Sequence, residues 1–264
     1  MSVNDPKIKV LIVDDSAVVR GMIAKSLSND ARIEVAASAI NGRHAVDQVK
    51  LDSFHVIILD IEMPEMDGLT ALPLLIRHGN GAKVIMSSTL THAGAEVTMK
   101  ALSLGASDYL QKPSTRNEDG GMTRFNAQLK AKVLALGASF VPGLHIDPAE
   151  LVETPIEASR PEIAADSTSA PVPAPAVAGQ SAPVYQSASH IATRSAAIVT
   201  PRAVAVGSST GGPQALTRFF EGVRGKLAGR PVFVTQHMPP TFTRILAEHI
   251  AKASGYPAQE GETG

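Results

Sequence analysis

Four consecutive apolar residues, Val56-Ile57-Ile58-Leu59, run into a single carboxylate, Asp60, and Pro64 and Gly68 follow close behind. A continuous apolar run closed by turn residues is the pattern of a strand buried on both faces, as in parallel sheets. Asp60 then stands at the carboxyl end of that strand, the edge where open α/β sheets bind ligands. Taken alone, an aspartate here is equally a turn cap. What the chain builds around it decides between the two.

Strand and helix patterns alternate on both sides. Short β-rich runs cover Lys7 to Val13, Ile33 to Ala39, His55 to Leu59, Lys83 to Ser87 and Asp108 to Leu110. Helical spacing covers Ala17 to Leu27, Gly42 to Leu51, Leu69 to Arg77, Ala93 to Leu104 and Met122 to Leu136. In the first helix Val18, Met22, Ile23 and Leu27 are expected to share a face, and Pro73 is expected to kink or restrict the third. Five such units predict an α/β fold, a doubly wound five-stranded parallel sheet with right-handed crossovers.

That topology gathers the strand ends on one edge. They carry Asp14-Asp15, Asp60, Ser87-Ser88-Thr89 and, after the fifth strand, Lys112. Carboxylates crowded together repel unless a cation neutralises them. A hard, oxygen-seeking Mg²⁺ suits such a cluster and keeps waters for a phosphate. A lysine adds a point charge for phosphate oxygens, and a hydroxyl adds a donor. Asp60 would be the nucleophile forming an aspartyl phosphate. Singly, each group has an ordinary reading: Asp15 or Ser16 as a helix N-cap, Lys112 as a solvated lysine. Jointly and in this order they favour a phosphoacceptor site.

Residues 7 to about 136 resemble the receiver domain of two-component response regulators. The resemblance rests on Asp14-Asp15, on Asp60 within LDIEMPEMDG, on Ser88 after Val84-Ile85-Met86-Ser87, and on Lys112-Pro113. It implies Mg²⁺ held by Asp14, Asp15 and Asp60, and phosphorylation of Asp60 by a histidine kinase. It also implies phosphate contacts from Ser88 and Lys112, and an aromatic switch at Tyr109.

Beyond the fifth helix the periodicity is lost. Prolines recur at 142, 148, 155, 161, 171, 173, 175 and 183 among alanines and serines. Such a stretch buries too little surface to offset its ordering entropy and reads as a flexible linker. Its early part holds Leu144, Ile146, Leu151, Val152 and Ile156, which suit local docking. The expected division is 1–138, 139–199 and 200–264.

Order returns with the strand Ala203 to Val206, followed at once by Gly207-Ser208-Ser209-Thr210-Gly211-Gly212-Pro213 and a helix pattern through Val223. Strand, glycine-rich turn and helix suit either a phosphate cradle or a nucleophile elbow. The next strand, Val232 to Thr235, ends in Gln236-His237-Met238, and a helix pattern covers Thr241 to Ala253. A histidine at the end of the neighbouring parallel strand suits a general base for Ser209. The other seven histidines have no such placement.

GSSTGGPQAL followed by VFVTQHMPPTFT resembles the start of the chemotaxis protein-glutamate methylesterase domain. Receiver, linker and this segment, in that order, match the architecture of that family. The resemblance implies Ser209 as nucleophile and His237 as its base. It implies hydrolysis of glutamate methyl esters on methyl-accepting chemoreceptors, with glutamine deamidation in some members, and release of the esterase when Asp60 is phosphorylated. It also implies an orienting aspartate farther along, to which Glu248, Glu260 and Glu262 do not correspond. The expectation is a second parallel α/β domain present in truncated form, with a competent receiver and an inactive esterase segment, since losing that carboxylate costs roughly 10⁴-fold. The alternative is a phospho-switch binding module acting through the receiver alone.

Composition narrows the classes further. A formal net charge of −1 gives no global attraction to nucleic acid or anionic membrane, and no basic helix-turn-helix pattern follows the linker. No stretch approaches the length of a membrane span. The absence of cysteine excludes disulfides, thiolate metal sites and a cysteine nucleophile. A cytoplasmic protein without nucleic-acid partners or membrane insertion is the expectation.

Overall fold

In a computed structural model of the chain, residues 6–89, 92–112, 121–151, 202–227 and 229–262 are described. Pro113, Val152, Ile156 and most of the proline-rich segment lie outside them.

The first half alternates β1 (Ile8–Val13), α1 (Ala17–Leu27), β2 (Ile33–Ala39), α2 (Gly42–Leu51), β3 (Val56–Asp60), α3 (Gly68–His78), β4 (Lys83–Ser88), α4 (His92–Ser103), β5 (Asp108–Gln111) and α5 (Gly121–Gly137). The strands form one parallel sheet in the order β2-β1-β3-β4-β5, the doubly wound arrangement read from the sequence. Its apolar strands still alternate between faces. Leu11, Val13, Ile57, Leu59, Val84 and Met86 enter one core cluster; Ile8, Val10, Ile12, Val56, Ile58 and Ile85 enter the other.

Caps set the helix starts. Ser16, not Asp15, caps α1 and accepts from Val19 N, Asn41 caps α2, and Asp67 caps α3. Two expectations need correction. The helix α3 runs unbroken from Gly68 to His78 with Pro73 inside it. Pro73 lies on the exposed face of the helix, so its ring does not disturb the buried packing of Leu72 and Leu75. Val18 does not join the buried stripe of α1; it is 80% exposed, whereas Ile23 and Leu27 are fully buried.

After α5 the chain stays on the receiver through two short 3₁₀ turns, Ala138–Phe140 and Pro148–Leu151. Phe140, Leu144, Ile146 and Leu151 pack against the cluster that holds Ile23 and Val133, and Arg32 reaches Glu150 at 2.7 Å.

The second half contains β6 (Val204–Ser208), α6 (Gly212–Gly222), β7 (Val232–Gln236) and α7 (Pro240–Ser254), with β6 and β7 parallel. The described residues up to Leu151 and those from Ala203 onward form one compact unit. Within it α7 packs against α4, and α6 against α4 and β5. Leu216, Phe220, Phe242, Ile245 and Leu246 share a core cluster with Met99, Leu102 and Tyr109, so the two sheets are joined by continuous apolar packing.

Candidate functional site

The acidic site forms at the carboxyl ends of β1 and β3. Ile61 N and Lys112 Nζ both donate to Asp60 Oδ1, each at 2.8 Å. Lys112 also reaches Asp14 Oδ2 at 2.8 Å, and Ser16 N donates to Asp14 Oδ1 at 2.9 Å. Arg20 holds the β1–α1 turn through the carbonyls of Asp14 and Asp15. Carboxylate oxygens of Asp14, Asp15 and Asp60 lie within 4.8 Å of one another. The turn after Asp60 depends on Gly68, whose N–H donates to Ile61 O at 2.9 Å. A Cβ at Gly68 would stand 2.0 Å from the Asp60 carbonyl oxygen, so only glycine lets α3 start this close to the site.

A pocket of about 360 Å³ opens over these groups, lined by Asp15, Asp60, Ile61, Glu62, Ser88, Thr89, Gly94 and Lys112. Ser88, not Ser87, is the strand-end hydroxyl in that lining. Burial pushes the Asp60 carboxyl above its ordinary range; Lys112 opposes that and Asp14 adds to it. Burial alone would lower the Lys112 ammonium, but its bonds to Asp14 and Asp60 outweigh burial and hold it above its ordinary value. Three carboxylates against one ammonium leave a net charge of −2. With oxygen donors only, the cluster fits a hard divalent cation.

Tyr109 lies apart from this pocket. It pairs with Met86 on the opposite face of the sheet and stacks on Phe242 of α7, with centroids 4.8 Å apart and planes 10° from parallel. Ser209 is exposed in the turn between β6 and α6, and half-buried His237 follows β7. Gln236 ties the two turns together. Its amide donates to Ser209 O at 3.1 Å and to His237 O at 3.2 Å, and its Oε1 accepts from Ser208 Oγ at 2.6 Å.

Several groups had not been singled out in the sequence. Gln236 is one. Thr98, fully buried on α4, hydrogen-bonds Ser88 Oγ at 3.0 Å and the Gly94 carbonyl at 2.7 Å. Asp108 and Lys132 form a buried pair at 3.1 Å. Lys132 did leave a signal, since it falls on the apolar stripe of α5 beside Leu129 and Val133.

The fold and the acidic cluster define a receiver. Residues 10–119 match the response regulator receiver domain family, and residues 204–264 match the CheB methylesterase family. The chain belongs to the response regulators that join a receiver to a CheB methylesterase segment. It is 43% identical over 257 residues to protein-glutamate methylesterase/protein-glutamine glutaminase 1 of Paramagnetospirillum magneticum, covering 97% of this chain and 64% of the relative. It is 45% identical over 258 residues to the protein of the same name from Rhodospirillum rubrum, covering 97% of this chain and 63% of the relative. The chain thus spans just under two thirds of the length of these curated relatives. Among solved structures, the response regulator domain of Thermotoga maritima CheB is 32% identical with a TM-score of 0.45, covering 54% of this chain and 99% of that one.

Proposed function

We propose that the protein is a phosphorylation-regulated protein-glutamate methylesterase of bacterial chemotaxis, with protein-glutamine glutaminase activity at the same site. The observation that carries the proposal is the joint placement of an acidic phosphoacceptor cluster and a serine turn in one compact unit. In this reading 1–138 is the input, 139–199 the linker, whose first part through Leu151 docks on the receiver, and 200–264 the output.

At the input, an Asp60 oxygen attacks phosphorus on a phosphohistidine of the kinase, and the imidazole leaves. Asp14, Asp15 and Asp60 would hold Mg²⁺, which supplies charge neutralisation for the incoming phosphoryl group. The Lys112 ammonium, already between Asp14 and Asp60, is placed to follow the new phosphate oxygens. Ser88 turns its hydroxyl from Thr98 toward the phosphate.

At the output, Ser209 Oγ attacks the carbonyl of a glutamate methyl ester on a chemoreceptor. His237 takes the hydroxyl proton and returns it to the departing methanol, or to ammonia from a glutamine. Water then hydrolyses the acyl-serine and releases glutamate. The packing of α6 and α7 on α4 and β5 supports control of this step by the receiver. A chemotaxis histidine kinase and methyl-accepting chemoreceptors are the partners this chemistry needs, and the cytoplasm is where they meet. Among the described residues no helix is long and apolar enough to cross a membrane.

Two assays test this. Acetyl phosphate with Mg²⁺ should label the chain, and Asp60→Asn should abolish the label; label persisting elsewhere removes Asp60 from the role. Methanol release from methylated receptor, wherever it is measurable, should require Ser209, so a measurable rate that Ser209→Ala leaves unchanged refutes the esterase assignment.

A further inference from the structure

The N-terminus of α6 needs a cap that its own sequence cannot supply. Gly211 occupies the N-cap position with φ +73° and has no side chain to accept from the first turn. Helix starts leave their first N–H groups without intrahelical partners, and a carboxylate is well suited to bond one of them. Here a carboxylate arrives from the other half of the chain. Asp108 Oδ2, at the start of β5, accepts from Gly211 N at 2.9 Å. Its Oδ1 accepts from its neighbour's amide, Tyr109 N, at 2.8 Å. Lys132 Nζ of α5 sits 3.1 Å from Oδ2 and 5.7 Å from the centroid of the Tyr109 ring.

Burial makes this contact consequential. Asp108 is 1% exposed and Lys132 8% exposed. An ionised carboxylate this deep is tolerated only when its charge and lone pairs are met. Lys132 meets the charge; the amides of Tyr109 and Gly211 and the ammonium together occupy both oxygens. A second bond, Gln214 Nε2 to Gly105 O at 3.3 Å, ties the first turn of α6 to the receiver as well.

We infer that Asp108 is a positioning residue that caps α6 in trans, so that the receiver itself fixes the turn bearing Ser209. The cap acts through Gly211, two residues beyond Ser209, and reaches the proposed nucleophile by ordering its turn. When the receiver side of the contact shifts, Gly211 N–H is released and the turn loses its anchor. The cap rests only on the contact geometry; its meaning for hydrolysis rests on the proposed role of Ser209.

The test uses the 264-residue chain and residue-resolved amide hydrogen exchange. Asp108→Ala should speed exchange at Gly211 by at least about tenfold, the loss expected for a charge-assisted bond. Protection in β1 and β3 should hold. Asp108→Asn keeps an acceptor oxygen and should restore part of the protection. Exchange at Gly211 in Asp108→Ala equal to the unsubstituted chain overturns the inference. If Asp108→Ala fails to fold, the Gly211 amide proton of the unsubstituted chain decides. A downfield, slowly exchanging resonance supports the cap, and a solvent-like one overturns it. Gly211 protection that depends on Asp108, beside measurable methanol release that Ser209→Ala leaves unchanged, leaves the cap standing and removes the esterase assignment. The reverse pattern removes the cap alone.

Discussion

Replacing Asp60 by asparagine should stabilise the folded chain in the absence of divalent cation and abolish most of the stabilisation that Mg²⁺ provides. Asp60 and Asp14 are buried and their carboxylate oxygens lie within 4.8 Å. At an effective dielectric constant near 20, that repulsion is about 3.5 kcal/mol. Asp15 is exposed, so its repulsion is screened to roughly half that value. Lys112 at 2.8 Å returns about 6 kcal/mol of attraction. Charge with charge nearly cancels, and the burial cost of ionised Asp60 remains. Asparagine removes that cost, keeps the shape, and keeps an oxygen for Ile61 N and Lys112; a net gain of about 1 kcal/mol is expected. The pH dependence follows from the direction of the shift. A raised folded-state value means the folded chain binds the proton more tightly than the unfolded one. The wild-type advantage from this group exists below the ordinary value of 3.8 and is lost as pH rises through the raised value. The gap between variant and wild type should therefore open on going from pH 4 to neutrality. Mg²⁺ at about a hundred times its dissociation constant should stabilise the wild type by about 2.7 kcal/mol and reverse the order. Urea denaturation followed by far-UV circular dichroism reads this directly in a chain without tryptophan. An asparagine variant less stable than wild type in chelator, or stabilised equally by Mg²⁺, refutes the charge argument.

Three further outcomes are expected. Phe242→Ala should cost about 3–5 kcal/mol, because the ring is 1% exposed. A double-mutant cycle of Tyr109→Leu with Phe242→Leu should give a coupling of about 0.5–1.5 kcal/mol by denaturation, and a coupling of zero removes the stack. Thr98→Val should cost about 1 kcal/mol and speed labelling of Asp60 by acetyl phosphate, since Ser88 then has no α4 partner to leave; an unchanged labelling rate counts against that role. Arg32 first, and then Lys130, hold the Asp30 carboxyl well below its ordinary value despite partial burial. A depressed folded value contributes stability above pH 3.8 that is lost as pH falls below it. Wild type should therefore exceed Asp30→Asn in melting temperature at pH 6, with the margin shrinking as pH is lowered from 4 to 2, and a margin unchanged over that range disproves the network's ionic character.

The receiver was legible because local signals and long-range order agree. Its buried strands read as apolar runs, its helices as 3.6-residue periods, and parallel topology alone brings Asp14, Asp60 and Lys112 together. Errors fell where the sequence pattern is silent about partners. Val18 fits the helical stripe of α1 by spacing, yet the first residues of α1, Ala17 and Val18, face water. Pro73 breaks a propensity rule at an exposed position where packing of Leu72 and Leu75 holds the helix. Asp108 and Thr98 were invisible for a different reason. Each is meaningful only through a residue on another element, and one sequence carries no record of that pairing.

The geometry also limits how phosphorylation can reach the serine turn. Asp60 and Tyr109 lie on opposite faces of the sheet, because Asp60 pairs with Ser87 while Tyr109 pairs with Met86. A direct contact between phosphate and tyrosine is therefore excluded in this arrangement. Ser88 follows Ser87 on β4, lines the acidic pocket, and bonds Thr98 of α4. The helix α4 in turn packs on α7, which carries Phe242 under the Tyr109 ring. Recruiting the Ser88 hydroxyl to a phosphate removes a buried bond from α4, at a cost of about 1–3 kcal/mol unless the helix moves. That energy is of the size needed to bias a docked interface. If Asp60 is the phosphoacceptor as proposed, the contacts open to it lead through β4 and α4 into α7, and Asp108 holds the far end of the same interface on β5.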